Sequence, residues 1–221
     1  MKTVVISVGG SAINPKTVDA KFLDKLKTVI LKASKKNKIV ICTGGGFIAR
    51  DYIRALKNKS NYVQDVMGIH CTRLNAMLIA SHISKCNQEI PTTLEEIKDL
   101  LASLNIVVCG GLRPGTTSDG TTASIADYLN ADYMINMTNV KGLYTKDPRK
   151  YKDAKFIGKL SHKEFKEIID KVKEKPGQHF VLDQLAAKIC RQAKIKVAIF
   201  KGTNNLQKFL ENKKFDGTII F

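Results

Sequence analysis

Apolar residues along this chain change period repeatedly, from short alternating or continuous runs typical of strands to i, i+3, i+4 spacing typical of helices. The pattern predicts strands over residues 3–8, 38–42, 105–109, 132–137, 196–200 and 218–221. Between them it predicts helices over 19–36, 47–57, 62–85, 95–103, 119–130, 161–173, 181–192 and 206–210. In the longest of these, Val66, Ile69, Leu74, Met77, Leu78 and Ile83 are spaced to face a core. Residues 138–155 read as a polar loop, 156–160 as a short extended segment, and Lys175-Pro176-Gly177 as a turn. Strands alternating with helices imply an α/β fold with a mainly parallel sheet covered on both faces. No Ser/Gly-rich linker divides the chain, so one domain spanning 1–221 with two lobes is expected.

Composition narrows the class. The chain has 221 residues, 43% of them hydrophobic, enough to bury a core of this size. No apolar run approaches the ~20 residues of a membrane span, and no secretory leader pattern precedes the first strand. A cytosolic protein is expected. The five cysteines (Cys42, Cys71, Cys86, Cys109 and Cys190) are dispersed among apolar neighbours, as suits small buried side chains in a reducing compartment. Neither they nor the four histidines show metal-ligand spacing, so no protein-built metal site is expected. The net charge of +17 comes mainly from lysines spread over 32–38, 163–175 and 194–214. Without tryptophan or a nucleic-acid motif, this reads as a lysine-rich surface that draws anionic metabolites, and a nucleic-acid partner is not expected.

Three predicted strands run into glycine clusters: Gly9-Gly10-Ser11, Gly44-Gly45-Gly46 and Gly110-Gly111. In a parallel sheet these turns fall at the carboxyl edge, where bare backbone N–H groups can approach an anion. Three such turns at one edge point to a shared polyphosphate site, although each glycine alone would also serve a tight turn. Two familiar signatures nearly match. Gly44-Gly-Gly46-Phe-Ile-Ala49 fits the dinucleotide pattern, but the acid about twenty positions on, Asp65, precedes a long helix instead of ending a second strand. Gly110 to Thr117 has P-loop spacing, but Thr116 replaces the lysine that clamps the β/γ-phosphates. Beyond the fourth strand, Asn136 to Pro148 sets an aromatic ring, amides and an Asp-Pro pair close together, which suits gripping a nucleoside.

Taken in order, Gly9-Gly-Ser11, Gly44-Gly-Gly46 with Arg50, Asp65 before Gly68-Ile69, Gly111-x-x-Pro114-Gly115-Thr-Thr-Ser118-Asp119, Thr138-Asn139-Val-x-Gly142-Leu-Tyr144-Thr-x-Asp147-Pro148, and Val181-Leu-Asp183-x-Leu-Ala-Ala-Lys188 resemble the amino-acid kinase superfamily. The likeness spans nearly the whole chain and leans toward the archaeal uridylate kinase branch. It implies an open three-layer αβα sandwich, ATP with Mg²⁺ as phosphoryl donor, UMP as acceptor, and a homo-oligomer, typically a hexamer. It further implies an acceptor-binding lobe over about residues 1–130 and an ATP-binding lobe over about 131–221. By the matched motifs, Ser7, Val8, Gly9, Gly10 and Ser11 would line the ATP phosphates. Gly45 and Arg50 would lie where the phosphates of the two nucleotides meet. Thr138, Asn139, Tyr144 and Asp147 would hold the ATP base and ribose. Gly44, Asp65, Leu112, Arg113, Pro114, Gly115, Thr116, Thr117 and Ser118 would hold UMP.

Such a transfer needs no conventional base, because the attacking phosphate oxygen is already ionised; it needs charge neutralisation and alignment. Arg50 and Asp119 are the expected catalytic residues, Asp119 organising the metal or its waters or, alternatively, serving as a helix N-cap. Asp183 is expected to cap the helix that follows it. The chain departs from the superfamily pattern at Ser7, where many members carry a lysine, leaving Arg50, Lys141, Lys188 or metal ions to replace its charge. Competing readings are a superfamily kinase for another small phosphate, such as isopentenyl phosphate, and a nucleotide-binding protein without turnover.

Overall fold

A computed structural model describes residues 1–146, 148, 151–170 and 181–221. Its first strand, β1 (Lys2–Val8), leads through a one-turn helix, α1 (Gly10–Ile13), to α2 (Ala20–Ala33) and β2 (Asn37–Thr43). Then follow α3 (Gly46–Ala55), α4 (Asn61–His82), α5 (Leu94–Ser103), β3 (Ile106–Cys109), α6 (Ser118–Tyr128) and β4 (Tyr133–Met137). The remainder comprises β5 (Leu143–Tyr144), β6 (Phe156–Ile157), β7 (Lys159–Leu160), α7 (His162–Ile169), α8 (Gln184–Gln192), β8 (Lys196–Phe200), α9 (Thr203–Leu210) and β9 (Gly217–Ile220). Side-chain oxygens start most of the longer helices. Asp19, Ser60, Thr93, Thr117, Ser161 and Asp183 each accept a first-turn N–H, Ser161 within a full capping box.

The main sheet has seven strands in the order β3-β2-β1-β4-β8-β9-β7. β1 pairs in parallel with β2 and β4, β2 with β3, and β4 with β8; β9 runs antiparallel to β8, and β7 pairs in parallel with β9. Strand side chains alternate between two cores, as a two-residue period dictates. Val5, Val40 and Cys42 pack with α5, α6, α7 and α8 residues on one face. Val4, Ile6, Ile39 and Ile41 pack with α2, α4 and α9 residues on the other. The result is the expected α/β three-layer sandwich, and it sets the carboxyl ends of β1, β2, β3 and β4 side by side.

The structure corrects several expectations. Leu74 and Met77 of α4 do not face the core; they are 52% and 54% exposed. The inner face of α4 is instead made by Cys71, Asn75, Ala76 and Ile79, whose mostly small side chains let the helix lie close to the sheet. The polar loop after β4 contains β5, which pairs antiparallel with β6. The helix expected from 181 begins at Gln184, because Asp183 caps it. α7 closes at Asp170, and the expected turn at 175–177 and the residues up to 173 lie outside the described residues. All five cysteines are free, four of them buried and Cys86 partly so. Among the described residues no helix is long and apolar enough to cross a membrane.

Candidate active site

The parallel pairing brings the three glycine turns to one edge, as their positions after β1, β2 and β3 imply. The first two lie backbone against backbone. A Cβ on Gly10 would fall 2.1 Å from the Gly46 nitrogen and 2.5 Å from the Gly44 oxygen, so no other residue fits there. A Cβ on Gly110 would fall 2.7 Å from the Arg73 nitrogen, which makes the third turn a contact with α4. Within the first turn Val8 contributes only backbone: its side chain is fully buried and its C=O accepts the Gly44 N–H at 2.9 Å. The Gly9 N–H donates to Met137 O at 3.3 Å, whereas the Gly10 and Ser11 N–H groups have no acceptor among the described residues.

Helix α4 braces these turns through side chains that the sequence reading did not single out. Asn75 Nδ2 donates to Gly44 O at 2.7 Å and Gly45 O at 3.2 Å. Thr72 Oγ1 accepts the Gly111 N–H at 2.6 Å, and its carbonyl accepts Thr43 Oγ1 at 2.7 Å. Arg73 Nε donates to Gly111 O at 3.1 Å. One turn of helix thus fixes the second and third turns together. Asp65, nearer the start of α4, accepts the Gly115 N–H at 2.8 Å and so ties down the loop containing Leu112, Arg113, Pro114 and Thr116. Thr116 Oγ1 donates to Arg113 O at 2.8 Å inside that loop.

A carboxylate pair sits where α6 begins. Asp119 Oδ1 accepts Ser7 Oγ at 2.9 Å and its Oδ2 accepts Asn136 Nδ2 at 3.0 Å, joining the ends of β1 and β4. The alternative N-cap role for Asp119 is excluded: the cap is Thr117, whose Oγ1 accepts the Gly120 N–H at 2.9 Å. Asp183 caps α8 as expected, accepting the Ala186 N–H at 2.7 Å, and also accepts the Thr117 hydroxyl. Asp119 keeps an accessible edge but is enclosed by protein on most sides. Burial pushes its carboxyl up to about 6, the Asp183 charge adds to the rise, and the Ser7 and Asn136 hydrogen bonds oppose it. Asn136, 5% exposed, also donates to Val181 O at 2.8 Å.

The other predicted residues lie further out. Arg50 is exposed on α3, and Ser118 opens α6. Thr138 continues from β4 with its N–H on Phe200 O at 3.0 Å, followed by exposed Asn139. Tyr144 on β5 meets Phe156 edge to face, ring centroids 5.4 Å apart. Asp147 lies outside the described residues. Of the cations offered as substitutes for the missing lysine, Lys141 pairs with Asp216 at 3.5 Å and Lys188 lines a cleft between α7 and α8. Asn75, Thr72 and Arg73 escaped the sequence reading because nothing marks a polar residue on a helix face as the partner of a distant backbone group, and Asn136, read there as the start of a nucleoside-gripping stretch, instead holds Asp119 and Val181 O.

The amino acid kinase family model matches residues 2–201. A uridylate kinase of Pyrococcus abyssi is 37% identical over 221 residues, covering 98% of each chain. One from Methanocaldococcus jannaschii is also 37% identical, again over 98% of both. The crystal structure of uridylate kinase from Archaeoglobus fulgidus superposes with a TM-score of 0.91 at 34% identity and full coverage of both chains. The UMP kinase structure from Ureaplasma parvum, at 21% identity and a TM-score of 0.82, shares the fold. A family model matched over residues 2–201, and relatives 37% identical over nearly the full length, show that the chain belongs to the amino acid kinase family.

Proposed function

We propose that the protein is a UMP kinase, transferring the γ-phosphoryl group of ATP reversibly to UMP to give UDP and ADP, a step of pyrimidine nucleotide synthesis in the cytoplasm. The observation that carries this reading is the end-to-end likeness, in sequence and in fold, to proteins named uridylate kinases. In this reading the Gly10 and Ser11 amides and the Gly45 turn receive the ATP phosphates. Tyr144, Thr138 and Asn139 take the base and ribose. The loop from Leu112 to Ser118, held by Asp65, takes UMP. Arg50 neutralises charge between the two anions, which supplies alignment and electrostatic stabilisation without a base.

The donor set around Asp119 suits Mg²⁺: two carboxylates, Asp119 and Asp183, with the Ser7 and Thr117 hydroxyls on them, are hard oxygen donors of the kind Mg²⁺ takes alongside phosphate oxygens and water. When bound, Mg²⁺ would screen the repulsion between the phosphate groups. Asp119 would orient it or its waters, held in place by Ser7 and Asn136.

A homo-oligomer, expected to be a hexamer, belongs to the same proposal. In a chain of net charge +17, α4 contains no lysine, and its outward face exposes Val63, Leu74 and Met77, which suits contact with a second copy. Light scattering of the eluted protein tests this; a monomer at micromolar concentration would contradict it. For the activity, incubation with Mg-ATP and UMP followed by ion-exchange chromatography should give UDP and ADP in equal amounts. UMP left intact while ATP is bound would overturn the reading.

A further inference from the structure

The second glycine turn presents a physical difficulty of its own. A Cβ on Gly45 would fall 2.3 Å from Ala49 Cβ, so the position needs glycine to let α3 start where it does. Glycine, however, leaves the flanking peptide planes free to reorient. Something else must fix them.

Asn75 does so. It is 2% exposed, so its amide hydrogens must be satisfied within the protein, and both go to consecutive carbonyls, Gly44 O and Gly45 O. Gly45 is in the right-handed helical region, φ −76° and ψ −26°, which is how two successive carbonyls come to face one side chain. A trans peptide plane sets C=O and N–H in opposite directions. Holding Gly44 O toward α4 therefore aims the Gly45 N–H away from α4. The Gly44 N–H is already taken by Val8 O, and the Gly45 N–H has no acceptor among the described residues. It stands at the start of α3, a ten-residue helix whose dipole adds partial positive charge at that end.

We propose that Asn75 is a positioning residue for phosphoryl transfer. By locking the Gly44–Gly45 peptide it presents the Gly45 N–H to the phosphate groups where donor and acceptor meet. The inference rests on the kinase reading for its substrate, but its geometry does not depend on which acceptor is used. An N–H aimed in advance stabilises developing charge without reorganisation, and loss of one such donor elsewhere costs about 10²–10³ in rate. Loss of the aim alone should cost less, about 10- to 100-fold in kcat.

The test compares wild type with Asn75→Leu and Asn75→Ala, which remove the donor with and without keeping the side-chain size. With Mg-ATP and UMP, kcat should fall by about 10- to 100-fold in both, with the two KM values within about threefold of wild type. In ¹⁵N-labelled wild type, the Gly45 amide resonance should move downfield on adding the non-hydrolysable analogue AMP-PNP, and in the variants that shift should shrink. Unchanged kcat in folded variants, or a Gly45 amide of wild type that ignores AMP-PNP, overturns the proposal. Should the variants fail to fold, a wild-type Gly45 resonance that ignores AMP-PNP still overturns the proposal. Should wild type leave UMP untouched while the Asn75-dependent shift persists, the acceptor assignment fails and the positioning role stands.

Discussion

The carboxyl edge of the sheet is built in two ways. On the β1, β2 and β3 side, every glycine turn is tied either to its neighbour or, by buried or half-buried hydrogen bonds with Asn75, Thr72 and Arg73, to α4, and Asp65 on the same helix adds an exposed one with Gly115. On the β4 and β8 side, the chain beyond Thr138 includes a two-stranded ribbon, β5 with β6, across which Tyr144 and Phe156 meet edge to face. Thr218, fully buried, is the main peg of that ribbon: it accepts the Leu143 N–H at 2.8 Å and donates to Ile157 O at 2.6 Å. The difference fits the roles proposed for the two sides. Charge that develops during transfer must meet donors already in place, because reorganising them at that moment raises the barrier. A base and ribose need only a surface that fits them, and a small ribbon suffices.

Four substitutions can break or sharpen this contrast. The largest effect is expected from Arg50→Ala, which should lower kcat about 10²- to 10³-fold by removing a cation between phosphates. The melting temperature should hardly change, since Arg50 is exposed; a full rate in the variant would remove Arg50 from the mechanism.

Next comes Asp119→Asn, expected to lower kcat about 100-fold while stabilising the metal-free protein. The folded pKa of Asp119, about 6, lies above its ordinary 3.8. Its ionisation therefore costs stability that is intact below about pH 4, lost progressively as pH rises toward 6, and fully lost above that. At pH 7.5 with EDTA the cost is up to about 3 kcal/mol. Thermal melts should show the variant more stable than wild type at pH 7.5 and equal to it at pH 4. A variant less stable at pH 7.5 would contradict the burial argument.

Asp65→Ala should release the Gly115 turn and raise the KM for UMP about tenfold, leaving that for ATP nearly unchanged. Steady-state kinetics with each substrate varied would show it, and equal effects on both KM values would mean that the brace serves the whole site. The smallest effect belongs to Thr218→Val, which removes one buried and one partly buried hydrogen bond from the ribbon. It should cost about 1–3 kcal/mol in stability and raise the KM for ATP a few-fold, with the UMP value unmoved. An unmoved ATP value in a folded variant would detach the ribbon from the donor nucleotide.

Much of this was legible in the sequence because it rests on local signals. Strands and helices follow from period, and the shared edge follows from glycine clusters after parallel strands. What was hidden depends on pairs far apart in the chain. Asp183 was readable as a cap for its own helix, but not as the acceptor of the Thr117 hydroxyl, which comes from another helix. Asp119 was readable as an acid near a helix start, yet only the fold shows that Thr117 takes the capping role and leaves Asp119 to Ser7 and Asn136. α4 misled because its outward side is as apolar as its inner one. Leu74 and Met77 satisfy a helical period while facing outward, and the inner face spends Thr72 and Asn75 on backbone carbonyls and amides that no periodicity reveals.

The most direct test of the central claim is ADP release from Mg-ATP by the purified protein across UMP, CMP, AMP, isopentenyl phosphate, acetylglutamate and aspartate. UMP should give a kcat/KM well above that of every other acceptor. Preferred turnover of another acceptor, or nucleotide binding with no ADP release from any of them, would contradict it.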